Sequence, residues 1–137
     1  MMTRVALPVL LLVALSSISV ALAGDFDGAV PLTCAITEIL ECDEASGCAE
    51  RLPEELNLPD FFRIDIETMT MREVGEGEDL RETQVRHHKS VDGSLLMYGG
   101  EEGRAWSMVM NQQTGDLSGG ISGEGFTLVL FGSCIVE

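Results

Sequence analysis

Leu32-Thr33-Cys34-Ala35-Ile36-Thr37-Glu38-Ile39-Leu40-Glu41-Cys42 is the stretch that decides the fold. Its even-numbered positions are apolar apart from one glutamate, and its odd-numbered positions hold threonine, alanine, isoleucine and glutamate. A period of two that includes β-branched residues is typical of a β-strand with one buried face. The pattern places Glu38 on the face that is otherwise apolar.

Further strand patterns follow along the chain. Residues 62–67 alternate apolar and charged, as in an antiparallel sheet with one wet face. Asp92-Gly93 is a strong hairpin signal, and residues 126–131 form an almost continuous apolar run that we expect to be buried. A helix of ordinary length is not predicted anywhere. Pro53 would open one short helical turn, which Pro59 would end.

The fold class predicted from these patterns is all-β. About eight short antiparallel strands in meander order suit a small lipocalin-like barrel, with a β-sandwich as the alternative. Closure into a barrel is attractive because it removes the exposed edges that invite aggregation. It would also bring the first strand beside the last.

Four cysteines, Cys34, Cys42, Cys48 and Cys134, are an even set that indicates two disulfides in an exported domain. Three pairings are open. We favour Cys42–Cys48, which closes a tight loop, and Cys34–Cys134, which ties the first strand to the last. Metal-binding or redox thiols have less support, because the chain contains no Cys-x-x-Cys motif.

The start of the chain is typical of a secretory signal peptide. A short positive start is followed by an apolar run over residues 5–20 and by Ala21-Leu22-Ala23, which has small residues at the two positions that a signal peptidase reads. We therefore expect a signal peptide over residues 1–23 and a single β domain over residues 24–137. The expected location is periplasmic or secreted, and the cleaved protein would not be an integral membrane protein.

The charge of the chain narrows the choice of partner. Its 23 acidic and 8 basic residues give a net charge of −15, and loss of Arg4 with the signal peptide would make it one unit more negative. Such a surface repels nucleic acid and anionic lipid headgroups. We expect no nucleic-acid partner. The charge serves either solubility alone or recognition of a cationic protein.

Known catalytic, cofactor and metal motifs are missing from the sequence. His87 and His88 are adjacent, so on a strand they point to opposite faces and suit no shared metal ion. We expect one to be exposed and the other half-buried. The acidic segment 75–79 lacks the EF-hand spacing, and neither a Gly-x-Ser-x-Gly element nor a phosphate-binding loop occurs. The sequence therefore predicts a protein that is not an enzyme, with no cofactor.

Trp106, Met108 and Met110 share one face of a predicted strand. Methionine lines adaptable pockets and also fills irregular cores. An eight-stranded barrel permits a hollow or a filled interior. We favour a filled interior, because a domain this small has little side-chain volume to spare, but a hollow one would make these three residues ligand-facing.

The chain resembles a family of small uncharacterised proteins exported by bacteria. The resemblance rests on Phe26-Asp27-Gly28, Pro31-Leu32-x-Cys34, residues 61–65, Trp106-Ser107-Met108 and residues 131–134. It implies export and a compact domain, and no reaction. In size and compartment the chain is also similar to periplasmic lysozyme inhibitors, which are small disulfide-bonded β-barrels.

The function predicted from the sequence is therefore binding without catalysis. The first hypothesis is an exported envelope protein that interacts with an unknown partner, for which a cationic protein such as a lysozyme is the best candidate. The alternative is a carrier that holds a small apolar ligand inside the barrel.

Overall fold

A computed structural model describes residues 26–137, most of which lie in antiparallel strands. The strands are β1 (Leu32–Asp43), β2 (Gly47–Glu50), β3 (Phe61–Asp65), β4 (Thr70–Glu73), β5 (Glu82–Val91), β6 (Ser94–Glu101), β7 (Arg104–Asn111), β8 (Asp116–Gly123) and β9 (Phe126–Val136). One 3-10 turn, Pro53–Leu56, lies between β2 and β3, near the position that the two prolines predicted. The predicted signal peptide, residues 1–23, lies outside the described residues.

The sheet closes on itself. Strands β3 to β9 pair in sequence order, and β1 pairs with both β3 and β9, so eight strands form a closed antiparallel barrel. One edge of β1 pairs with β9 from end to end. The other edge is shared between β3 and the short strand β2. The predicted all-β barrel is confirmed, and the sandwich alternative is excluded.

Strand β1 carries a β-bulge that the alternation pattern does not reveal. Its register with β9 shifts between Ile36 and Glu38, so Thr37 is an extra residue. An extra residue reverses which face each later side chain occupies. Ile39 is therefore buried and Glu38 exposed. The predicted position of Glu38 on the buried face is wrong for this reason.

The core consists of apolar side chains that alternate inward along the strands. Within residues 26–137 no polar or charged side chain is buried. The buried apolar residues are Leu32, Cys34, Ile39, Phe62, Ile64, Val85, Leu95, Met97, Trp106, Met108, Met110, Leu117, Leu128, Leu130 and Cys134. Removal of these side chains from water is the main favourable contribution to folding.

The two ends of the barrel are covered differently. At one end, which we call the closed end, the segment before β1 lies against the core. Gly28 is in close contact with Ile66 and near Leu95, and the Phe26 ring lies against Gly115. At the opposite end, the open end, the covering segment is residues 52–60, between β2 and β3. No helix among the described residues is long and apolar enough to cross a membrane.

Two disulfides staple the barrel, with the pairing that the sequence favoured. Cys34–Cys134 joins cross-strand partners of β1 and β9, and Cys42–Cys48 joins partners of β1 and β2. The first therefore fixes the strand pair that closes the barrel, whereas the second fixes only a local hairpin. Structural disulfides of this kind are typical of an oxidising compartment.

We expect the two disulfides to contribute unequally to stability. Replacing Cys34 and Cys134 together by alanine opens a loop of 100 residues and should lower the free energy of unfolding by about 5 kcal/mol. The same change at Cys42 and Cys48 opens a loop of 6 and should cost about 2 kcal/mol. Urea unfolding of the two double variants measures the difference. A larger loss for the hairpin variant would contradict the assigned role of the Cys34–Cys134 bridge.

Candidate ligand-binding cavity

A cavity of about 320 Å³ lies at the open end of the barrel. Its apolar wall is made by residues from six strands: Ile36, Phe62, Met71, Trp106, Met108, Ile121 and Leu130. Of the three residues singled out in the sequence, Trp106 and Met108 line this cavity. Met110 is fully buried farther along β7 and is not part of the lining. The interior is thus filled towards the closed end and hollow towards the open end.

Glycines on the neighbouring strands make room for the large side chains of β7. Gly99 on β6 lies opposite Trp106, and a Cβ atom at Gly99 would clash with the indole ring. Gly119 on β8 lies opposite Met108, and a Cβ atom there would lie 2.9 Å from its Cγ. Trp106 and Met108 therefore occupy space that side chains on the adjacent strands would otherwise fill.

One polar group enters the apolar wall. The indole Nε1–H of Trp106 donates a hydrogen bond to Thr83 Oγ1 at 3.3 Å, and Thr83 also lines the cavity. A threonine hydroxyl has one proton to donate and two lone pairs. Because Thr83 accepts from Trp106, its own proton remains available to an acceptor in the cavity.

The segment of residues 52–60, which we call the lid, covers part of the mouth. Its residues Asn57, Leu58 and Pro59 line the cavity. The carboxylate of Glu55 accepts a hydrogen bond from the Leu52 backbone N–H at 2.9 Å, which holds the 3-10 turn at its start. Asn57 ends the turn in a left-handed conformation, with φ of 53°, which asparagine adopts more readily than most residues.

Arg81 ties the lid to the barrel. Its guanidinium donates to both carboxylate oxygens of Glu73 on β4, at 2.9 and 3.1 Å, and also to the carbonyl oxygen of Asn57 in the lid. This hydrogen bond from Arg81 lowers the pKa of Glu73, and the same bond raises the pKa of Arg81. Because the folded-state pKa of Glu73 is depressed, the pair stabilises the fold at neutral pH. That contribution is lost as the pH falls below about 4.5 and through the folded-state value.

The rim of the cavity carries charges of both signs. Arg72 on β4 is the cross-strand partner of Glu82 on β5, and Arg104 on β7 is the partner of Glu101 on β6. All four of these residues line the cavity. Glu102, in the turn between β6 and β7, also lines it, and no ion pair involves it within residues 26–137.

His87 and His88 are both exposed, so the expectation that one would be half-buried is wrong. The register between β5 and β6 shifts between Val85 and His87, which leaves Arg86 as an extra residue. His87 stacks on Tyr98 on the outer face, with ring centroids 5.2 Å apart. Across the described part of the chain, no group of three or more His, Cys, Asp or Glu residues is placed to hold a metal ion.

Sequence reasoning found two of the cavity residues and missed the lid. The prolines at positions 53 and 59 predicted a turn, but no local signal indicates that the turn lies over the barrel mouth. Comparison of the chain with protein-family models, with curated proteins and with solved structures returned no match. The cavity is therefore interpreted from its own geometry.

We expect Arg81→Ala to loosen the lid. Without the guanidinium, the Asn57 carbonyl loses its link to Glu73, so amide hydrogen exchange across residues 55–58 should become about two- to fivefold faster. Hydrogen-exchange mass spectrometry measures this rate. Arg86→Ala is the control, since Arg86 is an exposed arginine outside the cavity lining. Equal lid protection in both variants would contradict the anchoring role.

Proposed function

We propose that this protein is an exported, non-catalytic binding protein that holds a small, mainly apolar ligand in the cavity at the open end. The observation that carries the proposal is the cavity itself. Its volume of about 320 Å³ lies at the lower end of the range for small-molecule sites. Its inner wall is apolar, whereas its rim is polar and charged. A barrel with a filled interior would not supply such a space.

The arrangement of the wall supports the same proposal. Trp106 and Met108 supply a large apolar surface that adapts to different shapes. The Thr83 hydroxyl and the charged rim provide polar contacts at defined points, as in most ligand sites. The lid adds Leu58 and Pro59 as a partial cover. Of the two sequence hypotheses, these features favour the carrier over the protein partner.

The pKa values shifted by the fold support binding rather than catalysis. The pKa of Asp43 is lowered first by the backbone N–H of Ser46, and that of Glu137 first by the hydroxyl of Thr33. Both groups stabilise exposed turns or strand ends, away from the cavity. At the cavity, Glu73 is engaged by Arg81 in an ion pair that leaves neither group poised for proton transfer.

A periplasmic or secreted location forms part of the proposal. Two disulfides, one of them closing the barrel, would be favoured outside the cytoplasm. In such a setting a closed barrel would shield an apolar ligand from water during transfer or storage. The expected signal peptide over residues 1–23 supports the same location.

The carrier proposal is tested with 1-octanol, a neutral eight-carbon probe. Burial of its alkyl chain should give a Kd on the order of 0.1 mM by titration calorimetry. Ile121→Trp fills the cavity wall and should weaken binding by about tenfold, whereas Val109→Trp, on the outer face of β7, should leave binding unchanged. Thermal unfolding verifies that each variant is folded. Failure of the folded wild-type protein to bind would rule the carrier out.

A cationic protein partner is the second candidate function. The observation that favours it is the net charge of −15, with acidic residues in most turns. This charge acts over several ångströms and needs no pocket. The partner would meet the loops of the barrel rather than its interior.

We expect lysozyme, a basic protein, to bind and lose activity at low ionic strength if this second function holds. Affinity should fall by about tenfold between 20 and 200 mM salt, because the attraction is screened. The double variant Glu76→Gln/Glu78→Gln removes two loop charges without touching the cavity lining, and it should weaken binding further. Undiminished lysozyme activity at low salt would exclude an inhibitory role.

A further inference from the structure

We infer that the ligand of the cavity is an apolar molecule with one positive charge, such as an alkyl or aryl ammonium compound. This inference rests on the proposed carrier function and adds the chemical class of the ligand. It follows from where the fold collects its carboxylates, from the composition of the rim, and from the absence of buried charge beneath it.

The barrel gathers most of its negative charge at the end where the cavity opens. Strands β3 to β9 alternate in direction, so alternate connections among them lie at the same end. Residues 50–60 join β2 to β3, which both run antiparallel to β1, and residues 57–59 line the cavity at that end. The open-end segments are 43–47, 50–60, 72–82, 101–104 and 123–126. They hold 14 of the 22 carboxylate side chains in residues 26–137, against four arginines. A ligand that approaches the mouth therefore meets a strongly negative potential, which attracts cations and repels anions.

The charged residues at the rim also favour a cation over an anion. Each rim arginine has a carboxylate as its neighbour: Arg81 is paired with Glu73, Arg72 lies across from Glu82, and Arg104 lies across from Glu101. Of these only Arg81 and Glu73 form an ion pair, so within the described residues the rim as a whole carries four carboxylates against three arginines. Glu102, in the turn between β6 and β7, has no arginine opposite it across the sheet. Its turn places it beside the cavity, and its backbone φ of 47° is a left-handed conformation held with Gly103. An ammonium group at the rim would complete this charge pattern, whereas a carboxylate would add to the repulsion.

The apolar floor of the cavity determines where the charged group of the ligand would lie. No charged side chain is buried within the described residues, so a charge placed beside Met108 or Leu130 would lose its hydration without gaining a partner. The apolar body therefore occupies the wall formed by Trp106 and Met108. The charged group stays at the rim, where water and Glu102 both reach it.

The inference is tested with three eight-carbon probes that differ only in the head group: octylammonium, 1-octanol and octanoate. Near pH 7 the first is a cation, the second neutral and the third an anion. Titration calorimetry gives each Kd, and fluorescence of Trp106, the one tryptophan of the chain, reports entry into the cavity. We expect the affinity order octylammonium, octanol, octanoate, with about two- to fivefold between successive probes at low salt.

The variant Glu102→Gln measures how much the rim carboxylate contributes to binding of the cation. It should weaken octylammonium binding by about two- to fivefold more than it weakens octanol binding, because only the ammonium group carries a charge. Glu124→Gln is the matched control, because Glu124 precedes a glycine in a turn at the same end but does not line the cavity. This control removes the same charge from the same end and should change octylammonium binding by less than twofold.

The outcomes separate the ligand class from the carrier function. Equal affinity for the three probes, or tighter binding of octanoate, would overturn the cationic class while leaving the carrier proposal intact. The same loss in Glu102→Gln and Glu124→Gln would overturn the role of Glu102 as the rim contact. Binding of none of the three probes would overturn the carrier function itself.

Discussion

The pairing of β1 with β9 is the constraint on which the rest of the structure depends. It converts an open meander into a closed barrel and leaves neither strand as a free edge. The register of this strand pair changes at Thr37, because Thr37 is an extra residue in β1. Gly132, opposite Ile36, permits the close approach there, since a Cβ atom would clash with the carbonyl oxygen of Ala35. The Cys34–Cys134 bridge then fixes this seam covalently.

Closure also determines the space inside. The inward side chains of β7 fill the barrel to different extents along its axis. Met110 is fully buried in the core, and Trp106 lines the cavity. Gly99 and Gly119 have no side chains and therefore leave room for Trp106 and Met108. The closed end is covered by direct packing of the segment before β1. The open end is covered in part by the lid, which is held by Arg81 and by a hydrogen bond from the Ile36 N–H to the Asp60 carbonyl. The hollow lies beneath this partial cover.

Much of this fold could be predicted from the sequence, because alternation and turn residues are local patterns and an even number of cysteines in an exported chain indicates disulfides. The barrel and both disulfides follow from them. The bulges at Thr37 and Arg86 could not be predicted, because a bulge depends on the partner strand as well as on its own. The bulge at Thr37 moved Glu38 to the outer face, and beyond the bulge at Arg86 both histidines are exposed. The cavity depends on the match of side-chain volumes across six strands, which no single stretch encodes.

The distribution of charge over the barrel likewise depends on the topology and not on local sequence alone. The sequence gives the total charge, but only strand direction decides which turns meet at one end. Turns that carry two carboxylates each, such as 43–47 and 101–104, are far apart in the chain and lie at the same end because each follows a strand that runs towards the open end. The same negative field would attract a cationic protein that docks from outside and a cationic ligand that enters the cavity. Shape separates the two, because the cavity wall acts only on a molecule small enough to reach Trp106. A common salt dependence therefore does not distinguish the two functions, whereas a change that fills the wall and leaves every charge in place does.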